Sequence, residues 1–206
     1  MANYKNIHGT NIETVSSDPS NPVNGQIWYN STEQKVKGFT DNPAGSWATG
    51  GAMNTARDFH GTAGTQTASL AFGGQPVPIM SEAESYNGSS WTNITDLSTS
   101  RRDFPGSGTQ TAALAIGGQT NPDAPTANVE LWNGSSWAEQ SNLNTGRRGG
   151  GGSGTSTSTL ASGGAQEGGA GTVAVVESWN GSSWTETTDL NTARAAIFSG
   201  AAGASN

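Results

Sequence analysis

Apolar and polar positions roughly alternate along Gly25-Gln26-Ile27-Trp28-Tyr29-Asn30-Ser31-Thr32 and again along Lys35-Val36-Lys37-Gly38-Phe39. That period of two predicts the paired arms of a β-hairpin. Thr109 to Ile116 is an uncharged run of small and apolar residues. It predicts a short strand buried on both faces and ended by Gly117-Gly118. Asn128 to Trp132 and Ser136 to Gln140 predict two more strands, joined by a tight turn at Asn133-Gly134, where both residues tolerate positive φ. A fourth, irregular strand is expected to carry Leu143 and Arg147. Residues 1 to 25 share none of this pattern. They are polar, and Asp18-Pro19-Ser20-Asn21-Pro22 reads as an extended or turn segment.

The pattern repeats. Glu84-Ser85-Tyr86-Asn87-Gly88-Ser89-Ser90-Trp91 returns as Glu130-Leu131-Trp132-Asn133-Gly134-Ser135-Ser136-Trp137 and as Glu177-Ser178-Trp179-Asn180-Gly181-Ser182-Ser183-Trp184. Phe39 to Trp47 is a degenerate first copy. Trp47, Trp91, Trp137 and Trp184 lie 44, 46 and 47 residues apart. Met53, Leu97, Leu143 and Leu190 follow at one phase, and Arg57, Arg101, Arg147 and Arg194 follow those at another. Gly73-Gly74, Gly117-Gly118 and Gly163-Gly164 precede loops of varying length at 75–81, 119–126 and 165–172. Three or four short strands in about 45 residues are the signature of a propeller blade.

The order Gly-Gly, Glu-x-(Tyr/Trp)-Asn, Trp, Leu, Arg resembles the kelch motif over residues 39–206. The resemblance implies an all-β fold of kelch-like β-propeller blades, about 3.5 in number. The landmarks are out of phase with a closed ring: four Trp hairpins stand against three Gly-Gly strands. An incomplete ring leaves strand edges that invite association. The expectation is therefore a longer chain, the favoured version, or sheets completed by other subunits.

Composition narrows the function. Gly, Ser, Thr and Asn fill 98 of 206 positions, against a helical bundle. The net charge is −7 and no run of Lys or Arg exceeds two, so a basic nucleic-acid surface is not expected. With no Cys, disulfides, zinc-thiolate sites and thiol nucleophiles are excluded. No apolar run approaches membrane-spanning length, and Met1 to Thr10 lacks the apolar core of a signal peptide. Export by that route and membrane insertion are not expected.

The segment Asn21-Pro22-Val23-Asn24-Gly25-Gln26-Ile27-Trp28-Tyr29-Asn30 resembles a hairpin of bacteriophage virion proteins at the start of tail-fibre and appendage subunits. Joined to Gly-Thr-Gln-Thr-Ala and Asn-Gly-Ser-Ser-Trp repeats, it resembles kelch-like structural proteins of phages. That implies residues 1–38 as a virion-anchoring arm and hairpin, contacting other virion proteins, and residues 39–206 as a display module. It further implies a homo-oligomer, with a trimer as the guess from fibres, located on the virion after assembly in the host cytoplasm.

Candidate chemistry is sparse. His8 and His60 have no ligand spacing, so neither a metal nor a cofactor is expected. The repeated Arg57, Arg101, Arg147 and Arg194 are read as bonding backbone carbonyls of their own or the next blade, not as a carboxylate-binding cluster. Each doubled pair, Arg101-Arg102 and Arg147-Arg148, is read as one inward and one exposed residue. Glu84, Glu130 and Glu177 sit at equivalent positions, which gives no pair of unlike carboxylates for acid–base work. Asp58 and Asp103 have no evident partner. The Trp residues are read as packing between blades rather than as sugar-stacking rings. The expected function is non-enzymatic: a tail-fibre or appendage subunit displaying a propeller-like surface for host attachment. Gln75, Pro76, Gln119, Asn121, Ala165 and Gln166 then mark loops that could meet a host glycan or protein by multivalent weak binding. The alternatives are a capsid decoration protein and a secreted carbohydrate-active or glycan-binding propeller.

Overall fold

The computed structural model describes residues 12–23, 25–39, 49–75, 78–166 and 171–196. Trp47 and Pro76 lie outside the described residues. The chain divides into two compact units, Met1–Thr49 and Gly50–Asn206.

In the first unit, β1 (Glu13–Val15) runs parallel to β2 (Ile27–Asn30), which pairs antiparallel with β3 (Lys35–Gly38). The predicted hairpin is present. Its inward face is unusual: Trp28 and Asn30 are buried, while Ile27 and Val36 are exposed. The reason is Asp18, whose carboxylate accepts hydrogen bonds from Trp28 Nε1 (3.0 Å) and Asn30 Nδ2 (2.8 Å) and an ion pair from Lys37 (2.6 Å). Asn30 Oδ1 in turn accepts the Thr32 and Glu33 N–H groups, which fixes the turn. A polar hub here takes the place of an apolar core.

The second unit holds three four-stranded antiparallel sheets. The first is β4 (Gly61–Thr65), β5 (Ala68–Phe72), β6 (Ala83–Tyr86) and β7 (Trp91–Ile94), in that order. The second has β8 (Gly106–Thr109), β9 (Ala112–Ile116), β12 (Val129–Trp132) and β13 (Trp137–Glu139); β10 (Gln119–Thr120) and β11 (Ala124–Pro125) form a small ribbon in its 119–126 loop. The third is β14 (Gly151–Gly154), β15 (Thr159–Ser162), β16 (Val176–Trp179) and β17 (Trp184–Glu186). No helix occurs among the described residues, and so none long and apolar enough to cross a membrane.

Three expectations are corrected. Thr109 to Ile116 is not one strand: Gln110 and Thr111 turn the chain between β8 and β9. The segment carrying Leu143 and Arg147, like that with Leu97 and Arg101, is no strand but an irregular linker between sheets. The fourth strand of each sheet is instead the glycine-rich stretch that follows the Arg. The Asn-Gly turn is also wider than expected. Trp132 pairs with Trp137, so four residues form the loop, and only Gly134 takes positive φ (96°). Asn133 acts through its side chain: Oδ1 accepts the N–H of Ser135 (2.9 Å) and of Ser136 (3.0 Å), as Asn residues do in turns.

The sheets pack face to face, and β8 lies against both β4 and β14. Glycine allows that approach. A Cβ on Gly106 would stand 2.2 Å from the Thr62 carbonyl oxygen of the preceding sheet. Leu70 and Phe72 of the first sheet meet Ala113, Ala115, Trp132 and Trp137 of the second in one core. Leu114, Ile116 and Val129 of the second meet Ala161, Trp179 and Trp184 of the third in another. Phe72 and Trp137 touch across the first interface, with ring centroids 4.8 Å apart. Aliphatic side chains are few, so aromatic rings supply much of the buried area.

Candidate functional site

The repeated charges are joined in pairs. Arg57 meets Glu84 at 2.6 Å, Arg101 meets Glu130 at 2.9 Å, and Arg147 meets Glu177 at 2.9 Å. All six side chains are buried. Each Arg lies in a linker and each Glu on the third strand of the sheet that follows, so the pair latches the linker onto the next sheet. Backbone groups complete the bonding. Arg101 Nη1 donates to the carbonyl of Asn128 (2.8 Å), and the Glu130 carboxylate accepts the Ser98 N–H (2.8 Å). Arg57 Nη1 donates likewise to the Glu82 carbonyl (2.7 Å), and Glu84 accepts the N–H of Asn54 (2.7 Å) and Thr55 (3.1 Å). The carbonyl contacts are those expected from the sequence; the carboxylate partner was missed, because the loop between Arg and Glu varies and the paired residues lie 27, 29 and 30 apart.

Burial sets the electrostatics. It pushes the Arg101 guanidinium down to about 10, against the pull of Glu130 and Glu139. Arg147 is lowered by the same cause, opposed by Glu177. Burial would raise the Glu84 carboxyl, but the amides of Asn54 and Thr55 and the Arg57 guanidinium leave it below its ordinary value. These carboxylates are buried, and they accept hydrogen bonds from an arginine and from backbone N–H groups.

A second polar array lies one residue further along. Asp58 bridges Gln75, Arg102 bridges Gln119, and Arg148 bridges Ala165, each through an antiparallel backbone pair. Phe59 O accepts the Asp103 N–H (2.7 Å), and Asp103 O accepts the Gly149 N–H (2.8 Å), which chains one unit to the next. Phe59, Asp103 and Gly149 all take positive φ (49°, 56°, 63°) to make this connection. Arg102 donates to the Gln75 side chain, to Gln119 Oε1 (3.3 Å) and to Asp123 Oδ1 (2.8 Å). Arg148 donates to Asp103 Oδ2 (3.0 Å). The second residue of each Arg doublet is thus the more accessible one. Asp58 has Gln75 Nε2 within 3.3 Å, so both aspartates that looked unpartnered have partners in neighbouring loops.

The loop residues differ in accessibility. Asn121 is exposed beside Pro122 and Asp123 at the crest of the 119–126 loop. Gln119 is buried and braces the same loop, donating to the Asp123 carbonyl at 3.0 Å. Gln75, Ala165 and Gln166 are half-buried. The Trp landmarks are structural contacts: Trp137 meets Phe72 in a tilted ring contact, and Trp184 donates to the Ser141 carbonyl (3.1 Å). Trp91 is half-buried, 5.0 Å from the Tyr86 ring, and donates to the Gly51 carbonyl. Arg194 is exposed.

Other candidates are small. A cavity of about 10 Å³ between the second and third sheets is lined by Pro105, Ile116, Leu143 and Gly150. It has room for about one water. It exists because Gly150 stands where Phe104 fills the preceding interface. The His60 imidazole is held below its ordinary value by burial and by Arg57, and its Nδ1 has no hydrogen-bond partner among the described residues. Among the described residues no group of three or more His, Cys, Asp or Glu could hold a metal ion. The accessible chemistry of the Arg102–Asp123 array is hydrogen bonding to hydroxyls and amides. No model of a known protein family matches this chain. No curated protein matches it.

Proposed function

We propose that the protein is a non-enzymatic structural subunit of a bacteriophage virion, on a tail fibre or related appendage. Residues 1–38 attach it to other virion proteins. The three sheets serve as successive blades of a kelch-like propeller, and their loops face a host glycan or protein. One observation carries this reading. The Gly-Gln-Ile-Trp-Tyr-Asn hairpin forms a compact unit of its own around Asp18, while the buried charges of the repeats serve to latch sheets together. A small attachment unit followed by a rigid repeat scaffold with polar loops suits display rather than turnover. The chain of left-handed residues Phe59, Asp103 and Gly149 is consistent with the blade reading, since it joins equivalent positions of successive units.

Gold-labelled antibody against the protein, viewed on intact particles by electron microscopy, tests the proposal. Label on tails or fibres is the expected result. Label over the capsid makes it a decoration protein and removes the receptor role of the loops. Particles without label, together with hydrolysis of a glycan panel by the purified protein, replace the virion reading with a carbohydrate-active one. If the loops bind hosts, exchanging Asn121 and Asp123 for Ala abolishes cell binding and leaves the melting temperature unchanged.

A further inference from the structure

The two ends of the sheet stack carry matching deficits. In the third sheet, Leu160 is 47% exposed, although its equivalents Leu70 and Leu114 are 1% and 0% exposed. Leu190 is half-buried where Leu97 and Leu143 are buried, and Arg194 is exposed where Arg101 and Arg147 are buried. The backbone around Arg194 nevertheless keeps the form of the earlier linkers. Gly164 N donates to Arg194 O at 2.8 Å, as Gly74 N does to Arg101 O and Gly118 N to Arg147 O. Among the described residues the Arg194 side chain meets only the Thr192 carbonyl. The linker is therefore formed, and among the described residues no sheet receives its arginine. At the other end, Ser69, Tyr86 and Trp91 of the first sheet are half-buried. Their equivalents Ala113, Trp132 and Trp137, and Thr159, Trp179 and Trp184, are buried.

We infer that the open face of the third sheet receives the first sheet of a second copy of this chain, head to tail. The contact continues the interface already made twice within the molecule, with Leu160 under Tyr86 and Trp91. Residues 50–57 of the arriving copy already cover part of its first sheet and supply Arg57 to Glu84. In the joint, residues 187–194 of the first copy displace that segment, and Arg194 takes the place of Arg57 on Glu84. One arginine replaces another, so the exchange itself is close to neutral. The gain is the burial of Leu160, Tyr86 and Trp91. The arriving linker also comes anchored, through Leu190 N to Ala174 O (2.9 Å) and Arg194 N to Val173 O (3.3 Å). A heterologous contact of this kind closes into a ring or extends as a fibre.

The test is sedimentation velocity of the full chain over a wide range of concentration. Concentration-dependent association is expected. Leu160→Asp and Arg194→Ala, both at exposed positions, each weaken it by at least roughly tenfold, the scale of one lost leucine burial. Arg57→Ala strengthens it, because the competing segment loses its hold. Should that variant unfold, arginine labelling with phenylglyoxal gives the same answer. Arg194 reacts in the dilute chain and is protected in the associated form, while Arg57 changes in the opposite sense. A chain that stays monomeric throughout overturns the inference. So does association untouched by Leu160→Asp, or equal labelling of Arg194 in both forms. The inference holds or fails independently of any place on a virion.

Discussion

At the residue scale, the ionic pairs between linkers and sheets are the most consequential contacts. Breaking a buried pair leaves an uncompensated charge, whereas replacing both members by apolar groups of similar size is often neutral. Glu130→Gln is therefore expected to destabilise the second unit by about 3–5 kcal/mol in chemical denaturation. Arg101→Met combined with Glu130→Leu should recover most of that loss; a double variant as unstable as the single one would disprove the assignment. In the first unit, Asp18 is lowered to about 2 from 3.8, by Lys37 first and then by Asn30 and Trp28. The folded state thus binds this proton less readily than the unfolded state. Its stabilising contribution is full above pH 3.8 and is lost as the pH falls through about 2. The indole N–H resonance of Trp28 should report that transition in an NMR titration, and Asp18→Asn should abolish it.

At the scale of elements, tolerance depends on backbone proximity rather than on side-chain chemistry. β8 carries almost no side-chain volume, and that lack lets it lie against β4. Gly106→Ala puts a methyl group into the Thr62 carbonyl, and relief requires the two sheets to part. A loss of roughly 3 kcal/mol or more is expected, at the upper end of overpacking costs. Calorimetry checks it, and an unchanged melting temperature would contradict the close packing. The same element shows where sequence reading reached its limit. The run from Thr109 to Ile116 is uncharged and holds no Gly, Pro, Asn or Asp, so it carries no sign of the turn at Gln110-Thr111. The Trp-flanked hairpins were legible because large rings, Asn and Gly each have strong local preferences.

For the whole molecule, stability should follow position in the stack. Arrays of repeats are held by contacts between neighbours, so a unit covered on both faces opens less often than one covered on one face. Hydrogen exchange should be slowest in β9 and β12 of the middle sheet and faster in β15 and β16 of the third, where Leu160 is uncovered. Equal protection of the two in the dilute chain would mean that the open face contributes nothing to cooperativity.

The sequence by itself determined the strand-rich class, the period, the positions of the Trp-flanked hairpins and the residues that recur. Each of these follows from local preference or from self-similarity along the chain. It also favoured a structural reading of the repeated Glu, because equivalent positions give no unequal pair of carboxylates. Only the tertiary structure decided which Arg serves which Glu, that Asp58 and Asp103 have partners, and that the glycine-rich stretch is a strand. It alone made Asp18 the hub of the first hairpin. Those outcomes depend on groups distant in sequence being brought within bonding distance, and the approach of one sheet to the next sets that distance.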